Sequence, residues 1–254
     1  MPITVLTREP GPSFVRAISP HPEQHNIDPK RALTQHRAYT QALKNTGAAL
    51  IVLAPVDDFP DGPFVEDTAI IFPDRAVICP MKETSRIGET ESIRLKLAQH
   101  LPIKTLTSPA QLDGGDVLQT EHTIFVGLSR RSNEEGAKAL SAHTKKTIIT
   151  VPVLQGLHLK TSATYLGNNV IVLHSASVAA EAFKNFDCIE VNDGEQYAAN
   201  CLAVGKTILI PAGYGRIAGE IMRRGFTVVE LEMSEFEKAD GGLTCLSLII
   251  PASA

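Results

Sequence analysis

The chain has no CxxC pair and no Cys/His spacing suited to a metal; Cys79, Cys188, Cys201 and Cys245 stand apart from one another. That excludes a disulfide framework or a structural zinc site as the organising device, so each thiol is either core or chemistry. Runs of lysine or arginine are also missing, and the formal net charge is -4. A mildly acidic chain of this kind does not take nucleic acid or an anionic membrane surface as its main partner. No apolar run approaches the ~20 residues that cross a bilayer. The opening MPITVLTREP lacks the basic, apolar and small-residue sections of a secretory signal. The expected compartment is the cytoplasm and the expected partner a small molecule. With 254 residues, 43% of them hydrophobic, the chain has enough apolar material for a sizeable core.

What is present is a repeat. From Val117 the sequence reads as an apolar strand VLQT, a turn, a second strand TIFVGL, a helical NEEGAKALSAH and a strand TIITVPV. The same order precedes it in TAIIF, PDR, AVICP, GETESIRLKLAQH and IKTLT. It follows in ATYL, GNN, VIVLH, VAAEAFKNF and CIEVN, and again in NCLAV, GK, TILIP, RIAGEIMRRG and TVVELE. Four copies spaced by about 40 to 50 residues fall in the range of radially repeated folds. A fifth copy is divided: TCLSLII at the C-terminus supplies one strand, and MPITVLT, PKRALTQHRAYTQALKN and AALIVLAP supply the rest from the N-terminus. Pairing of the two ends closes a ring without an exposed edge. The prediction is one α/β domain over residues 1–254, a ring of five ββαβ units. The one long irregular stretch, EPGPSFVRAISPHPEQHNID, has the composition and length of a functional loop and is read as a lid.

In such a ring, residues at equivalent corners converge near the axis. The first corner, FPDGPFVEDTAII, carries Asp61, Glu66 and Asp67; the second, LDGGDVL, carries Asp113 and Asp116; the third, LHLKTSATYL, carries His158. The last, DGGLTCLSLII, carries Cys245 at the start of a strand, behind two glycines that let another molecule approach closely. Taken singly, acids beside turns cap or make Asx bonds, and a lone histidine is more often structural. Taken together, a thiol, an imidazole and a carboxylate are the groups that nucleophilic catalysis needs. The surplus of acids works against a thiolate, because like charges raise its pKa. The arrangement makes sense if the substrate is a cation, and a planar guanidinium suits carboxylates well. Cys79, Cys188 and Cys201 read as strand or core thiols; Cys201 in NCLAV lacks the preceding glycine pair.

The motifs FVED, LDGGDVL, HLKT, NCLAV and DGGLTCLSL, spread over essentially the whole chain, resemble the dimethylarginine dimethylaminohydrolases, members of the guanidine-modifying pentein superfamily with its five-bladed α/β propeller. The resemblance implies hydrolysis of Nω-methylated L-arginine to L-citrulline and dimethylamine or methylamine. Cys245 would be the nucleophile, His158 the proton carrier and Asp113 the carboxylate behind the histidine. Glu66 and Asp67 would lie on the guanidinium side and Asp61 at the amino-acid end. Arg86 in SRIGET and Arg131 in LSRRSN would hold the α-carboxylate, with Arg130 as a substitute for Arg131. Ile18 in the lid and the backbone at Ala239 would complete the substrate site. The resemblance implies no cofactor and no resident metal, with zinc entering only as an inhibitor at the thiol and imidazole. It leaves the molecule a monomer or a homodimer.

Other guanidine hydrolases share this plan. An arginine deiminase is usually longer and carries arginine where this chain has Glu66; an agmatine deiminase has no use for Arg86 and Arg131. An N-hydroxyarginine hydrolase needs the same groups and differs only in room around one nitrogen, a difference of a few kcal/mol. A non-catalytic pentein-like binding protein predicts no convergent Cys, His and acid set. A cysteine peptidase or amidase gives no reason for so many acids.

Overall fold

The computed structural model describes residues 3–252. It contains five three-stranded sheets. The first joins β15 (Leu248–Ile250), β1 (Thr4–Arg8) and β2 (Ala49–Leu53), in that order. The second holds β3 (Ala69–Phe72), β4 (Arg75–Ile78) and β5 (Ile103–Thr105). The third holds β6 (Val117–Gln119), β7 (Thr123–Leu128) and β8 (Thr147–Pro152). The fourth holds β9 (Ala163–Gly167), β10 (Val170–Leu173) and β11 (Asp187–Glu190), and the fifth β12 (Leu202–Val204), β13 (Thr207–Pro211) and β14 (Thr227–Leu231). In every sheet the middle strand is antiparallel to its inner neighbour and parallel to its outer one. An antiparallel neighbour follows a tight turn, whereas a parallel one needs a crossover. Helices α1 (Pro29–Asn45), α2 (Glu89–Leu97), α3 (Glu134–Ser141) and α4 (Gly215–Arg223) supply four of the crossovers, and a short α5 (Ser234–Lys238) follows β14.

The chain ends meet as the divided repeat requires, with Thr4, Val5 and Leu6 opposite Ile250, Ile249 and Leu248. Period-two alternation then places the core. Val5 points into a cluster shared with Leu209 of the fifth sheet, and the next residue, Leu6, into one shared with Ala69 and Ile78 of the second. Phe125 packs toward Ile171, while its neighbours Ile124 and Val126 pack toward Val77. Ile208 and Ile210 face Val172. Each middle strand is thus covered on both faces, which is why it reads as a near-continuous apolar run. The result is one apolar cluster between each pair of neighbouring blades, in a five-bladed α/β propeller.

Two local expectations differ from the structure. VAAEAFKNF forms only a 3-10 turn, Ala180–Phe183, because Val178 is drawn into a bridge with Val153 and no side chain caps Ala179. A single turn without a cap does not meet the cost of helix nucleation. Cys245 lies in a 3-10 turn, Thr244–Leu246, and the strand begins only at Leu248. The predicted lid contains two 3-10 turns, Pro12–Arg16 and Gln24–Asn26. It is anchored by fully buried Phe14, whose ring packs edge-on against Phe64 at 5.8 Å and tilted against Phe236 at 5.3 Å.

Candidate active site

Each inner strand is entered through a 3-10 turn: Val65–Thr68, Gly114–Asp116, Leu159–Thr161, Gln196–Ala199 and Thr244–Leu246. These turns bring the corner residues to the axis. Cys245, His158, Asp61, Asp67, Arg86 and Arg131 line one small cavity, closed by Ile18 from the lid and by Ala239. The lid is tied down by the backbone N–H of Ile18, which donates to both carboxylate oxygens of Asp61 at 3.1 and 3.3 Å. About 10 Å3 remains inside, room for about one water.

His158 is held by Asp113, whose Oδ2 lies 3.1 Å from Nε2; on the other edge of the ring, Nδ1 is 3.9 Å from Asp67 Oδ1. The ring fits because residue 115 is glycine: a Cβ there would stand 2.7 Å from both His158 Nδ1 and Asp67 Oδ1. Burial disfavours the imidazolium, but the carboxylates of Asp67, Asp116 and Asp113 outweigh it and raise the His158 pKa to about 9. Asp67 is likewise buried, yet His158 and Arg86 bring its pKa down to about 2. Burial, reinforced by the charges of Glu66 and Asp67, pushes the Cys245 thiol far up, although the Gly242 N–H donates to Sγ at 3.3 Å. The resting pair is therefore a neutral thiol beside a charged imidazole.

Arg86 engages four of its five N–H groups within the protein, which leaves one on Nη1 for a ligand. Its Nη1 donates to Asp67 at 2.7 Å, Nε and Nη2 grip Glu89 at 3.0 and 2.8 Å, and Nη2 also reaches the Phe64 carbonyl at 3.1 Å. Arg131 reaches Asp113 Oδ2 at 3.4 Å, while Arg130 is exposed. Asp116 does not enter the cavity; it accepts from Ser129, Ser132 and the Leu159 backbone and so fixes the histidine turn. Asp67, Asp113 and His158 lie close enough together to cradle a cation. Arg86 and Arg131 already take Oδ2 of Asp67 and of Asp113, Asp113 Oδ1 has no partner among the described residues, and a protonated His158 would have to shed its proton before it could bind a metal.

Glu66, expected on the guanidinium side, stands outside this cavity. Its carboxylate accepts from Lys160 Nζ at 2.5 Å and from Thr244 Oγ1 at 2.7 Å. About three residues per turn in a 3-10 segment aim Glu66 and Asp67 in different directions. Glu66 therefore lies beneath the nucleophile turn.

Asn200, at the fourth corner, was not a candidate because it has no titratable group. Its Nδ2 donates to the Lys160 carbonyl at 2.8 Å and to Thr244 Oγ1 at 3.0 Å, and its Oδ1 accepts from Thr244 N at 3.0 Å. It thereby ties the turn of Cys245 to that of His158. A Cβ on Gly242 would stand 2.5 Å from the Asn200 amide carbon. The repeat itself was the signal, since this corner is equivalent to the other four. Asn200→Ala leaves a buried N–H and a carbonyl without partners and is expected to cost about 2–3 kcal/mol in denaturant unfolding, where a surface substitution would cost almost nothing.

The His158 shift also has a thermodynamic consequence. Its pKa rises from 6.5 in the unfolded chain to about 9 in the folded one, so the added stability is complete below 6.5 and lost as pH rises through 9. The change is on the order of 3 kcal/mol. Unfolding free energies measured from pH 6 to 10 should fall in the native protein and flatten in His158→Gln; equal slopes would contradict the assignment.

The family model described as N,N dimethylarginine dimethylhydrolase, eukaryotic, matches residues 14–248. The chain belongs to that family. It is 34% identical over 251 residues to the N(G),N(G)-dimethylarginine dimethylaminohydrolase of Pseudomonas aeruginosa, covering 96% of this chain and 98% of that one. Identity to the corresponding Streptomyces coelicolor enzyme is 32% over 248 residues, covering 96% and 95%. Among solved structures, a cysteine-to-serine variant of the Pseudomonas aeruginosa family member complexed with citrulline superposes with a TM-score of 0.92 at 32% identity, over 98% of this chain and 100% of that one. A histidine-to-glycine variant held as an adduct with S-methyl-L-thiocitrulline gives the same TM-score, identity and coverage. The N-terminal domain of a cyanobacterial arginine dihydrolase, at 18% identity and TM-score 0.91, shares the fold.

Proposed function

We propose that this dimethylarginine dimethylaminohydrolase family member hydrolyses Nω-methylated L-arginine to L-citrulline and an alkylamine through a covalent intermediate on Cys245. The observation that carries the proposal is the convergence of a thiol, a carboxylate-held histidine, acids and arginines on one lidded cavity. Family members solved with citrulline and with a thiocitrulline adduct support the substrate class. Arg86 and Arg131 take the α-carboxylate, and Asp61, with the backbone at Ile18 and Ala239, takes the α-amino end. Asp67 faces the guanidinium. Glu66 adds its negative charge through the floor.

The chemistry follows from the resting charges. A bound guanidinium adds a positive charge next to the sulfur, which lets Cys245 release its proton to solvent, since His158 is already protonated. The thiolate attacks the guanidinium carbon, and His158 passes its proton to the departing nitrogen as the C–N bond breaks. A thiouronium remains on Cys245. His158, now neutral and aligned by Asp113, takes a proton from water, whose oxygen adds to the same carbon. The C–S bond then breaks, releasing citrulline and the thiol. The lid has to lift for entry, because the closed cavity holds about 10 Å3. We also assign residues 3–252 to a single domain; the first two and last two residues of the expected 1–254 span lie outside the described residues. A cytoplasmic setting fits the four unpaired thiols.

Citrulline and amine release would be assayed with asymmetric dimethylarginine, monomethylarginine, arginine and N-hydroxyarginine. Turnover of the first two supports the proposal; turnover of arginine or N-hydroxyarginine alone transfers the same machinery to another guanidine. Thiol labelling gives a second check. At neutral pH, 2-chloroacetamidine is expected to modify Cys245 at least roughly tenfold faster than neutral iodoacetamide does, because only the cation lowers the thiol pKa. Half-buried Cys188 should show no such preference. Equal rates for both reagents at Cys245 would remove the acidic guanidinium pocket from the argument.

A further inference from the structure

The covalent route raises a problem of traffic. After the first step the alkylamine has to leave and a water has to enter while the rest of the substrate is still bound to Cys245. The lid closes one side through Ile18 and Asp61. On the opposite side, cavities of about 140 and 180 Å3 are separated from Cys245 by Thr244 and the Glu66–Lys160 ion pair, and they share no lining residue with the catalytic cavity. A third cavity, of about 360 Å3, does share its wall: Asp240 and Gly241 line both spaces. Gly242, whose N–H donates to Cys245 Sγ, lines this larger cavity too. It therefore comes within one residue's backbone of the sulfur.

The walls of this cavity have a definite chemistry. Among the described residues, two carboxylates, Glu237 and Asp240, face it, and no lysine or arginine does; the one group there able to carry a positive charge is His21 from the lid. Burial raises the pKa of both carboxylates, opposed at Glu237 by the charge of His21 and at Asp240 by those of His158, His21 and Arg131. Asp240 sits in the left-handed region, at φ 57°, a conformation that an aspartate tolerates better than most residues. Tyr197 supports this wall by donating to the Gly241 carbonyl at 2.8 Å. The remaining lining is neutral and polar, with Gln155 and Ser162 available to water.

We propose that this cavity is an antechamber that takes the released amine as a small alkylammonium ion, held by Asp240 and Glu237, and admits the water that replaces it. The proposal rests on the hydrolysis of methylated arginine inferred above. Cleavage of the C–N bond uses the proton from His158 and yields a neutral amine. In the antechamber that amine takes a second proton from solvent and becomes a cation, which two carboxylates retain better than the neutral species. The amine's departure opens the shared wall position to a water, which then gives its proton to His158.

The test begins with protein whose Cys245 has been blocked by 2-chloroacetamidine, so that only the antechamber stays open. Dimethylammonium chloride is titrated while the methyl proton line width is followed, with sodium chloride as the ionic control. Saturable binding is expected, weakened at least tenfold in Glu237→Gln and further in Glu237→Gln/Asp240→Asn. Absence of saturable binding, or equal binding in the variants, overturns the proposal. In the unblocked enzyme, dimethylammonium should inhibit citrulline release as the first product to leave, and Glu237→Gln should require about tenfold more of it for the same inhibition. Unchanged inhibition in that variant also overturns the proposal. If the reading of the substrate is what fails, no methylated arginine yields citrulline while the titration on blocked protein still saturates.

Discussion

Cys245→Ser is expected to lower citrulline formation from methylated arginine by roughly 10^4-fold or more, because a serine hydroxyl under the same acids has no accessible anion. The cavity makes ionisation costly even for a thiol: burial and the charges of Glu66 and Asp67 both oppose it, and the Gly242 N–H is the nearest donor to offset them. An alkoxide, with its far higher proton affinity, receives no larger offset. Binding should survive, since Asp61, Asp67 and both arginines are untouched, so the variant should retain substrate without forming a covalent adduct. Mass spectrometry of quenched mixtures decides the matter. A residual rate within tenfold of the native enzyme would assign the nucleophile to another group.

The second large effect is expected at His158. Replacement by alanine removes the proton donor for the amine and the base for water, and each such role contributes roughly 10^2 to 10^4 in rate. It also strips a cation from between Asp67 and Asp113, leaving Arg86 and Arg131 as their only charged partners at the site. The thiol remains, and a substrate with a good leaving group, such as S-methyl-L-thiocitrulline, needs no proton to expel it. His158→Ala should therefore form the covalent adduct with that compound and then stall, with the adduct accumulating to near one equivalent. Rapid multiple turnover of the same compound would show that His158 is not the base for the second step.

The corner logic of the repeat located several of these groups in advance, but it could not say which way each one faces. Glu66 and Asp67 are adjacent acids in the same motif, and nothing in FVED separates them. The 3-10 turn does, sending one to Lys160 and Thr244 and the other to Arg86 and the cavity. Glu89 is similar: as the first residue of a helix it reads as a favourable charge at an N-terminus, yet it is buried as a counter-charge of Arg86 alongside Asp67. Asn200 carries no charge and no reactive atom; the repeat marks its corner, but only its hydrogen bonds disclose what it does there.

The sequence by itself determined the five copies and the pairing of the chain ends, because strand periodicity and turn residues are local properties that each segment states for itself. It also determined the chemical balance of the site, with more acid than an unassisted thiolate could bear. Only the tertiary structure decided which acids share a cavity with Cys245, that Glu66 turns away from it to Lys160 and Thr244, and that the catalytic space shares a wall with a larger acidic chamber. Those relations join turns separated by tens of residues along the chain. Their energies depend on distance and burial across the propeller axis, which no local pattern encodes.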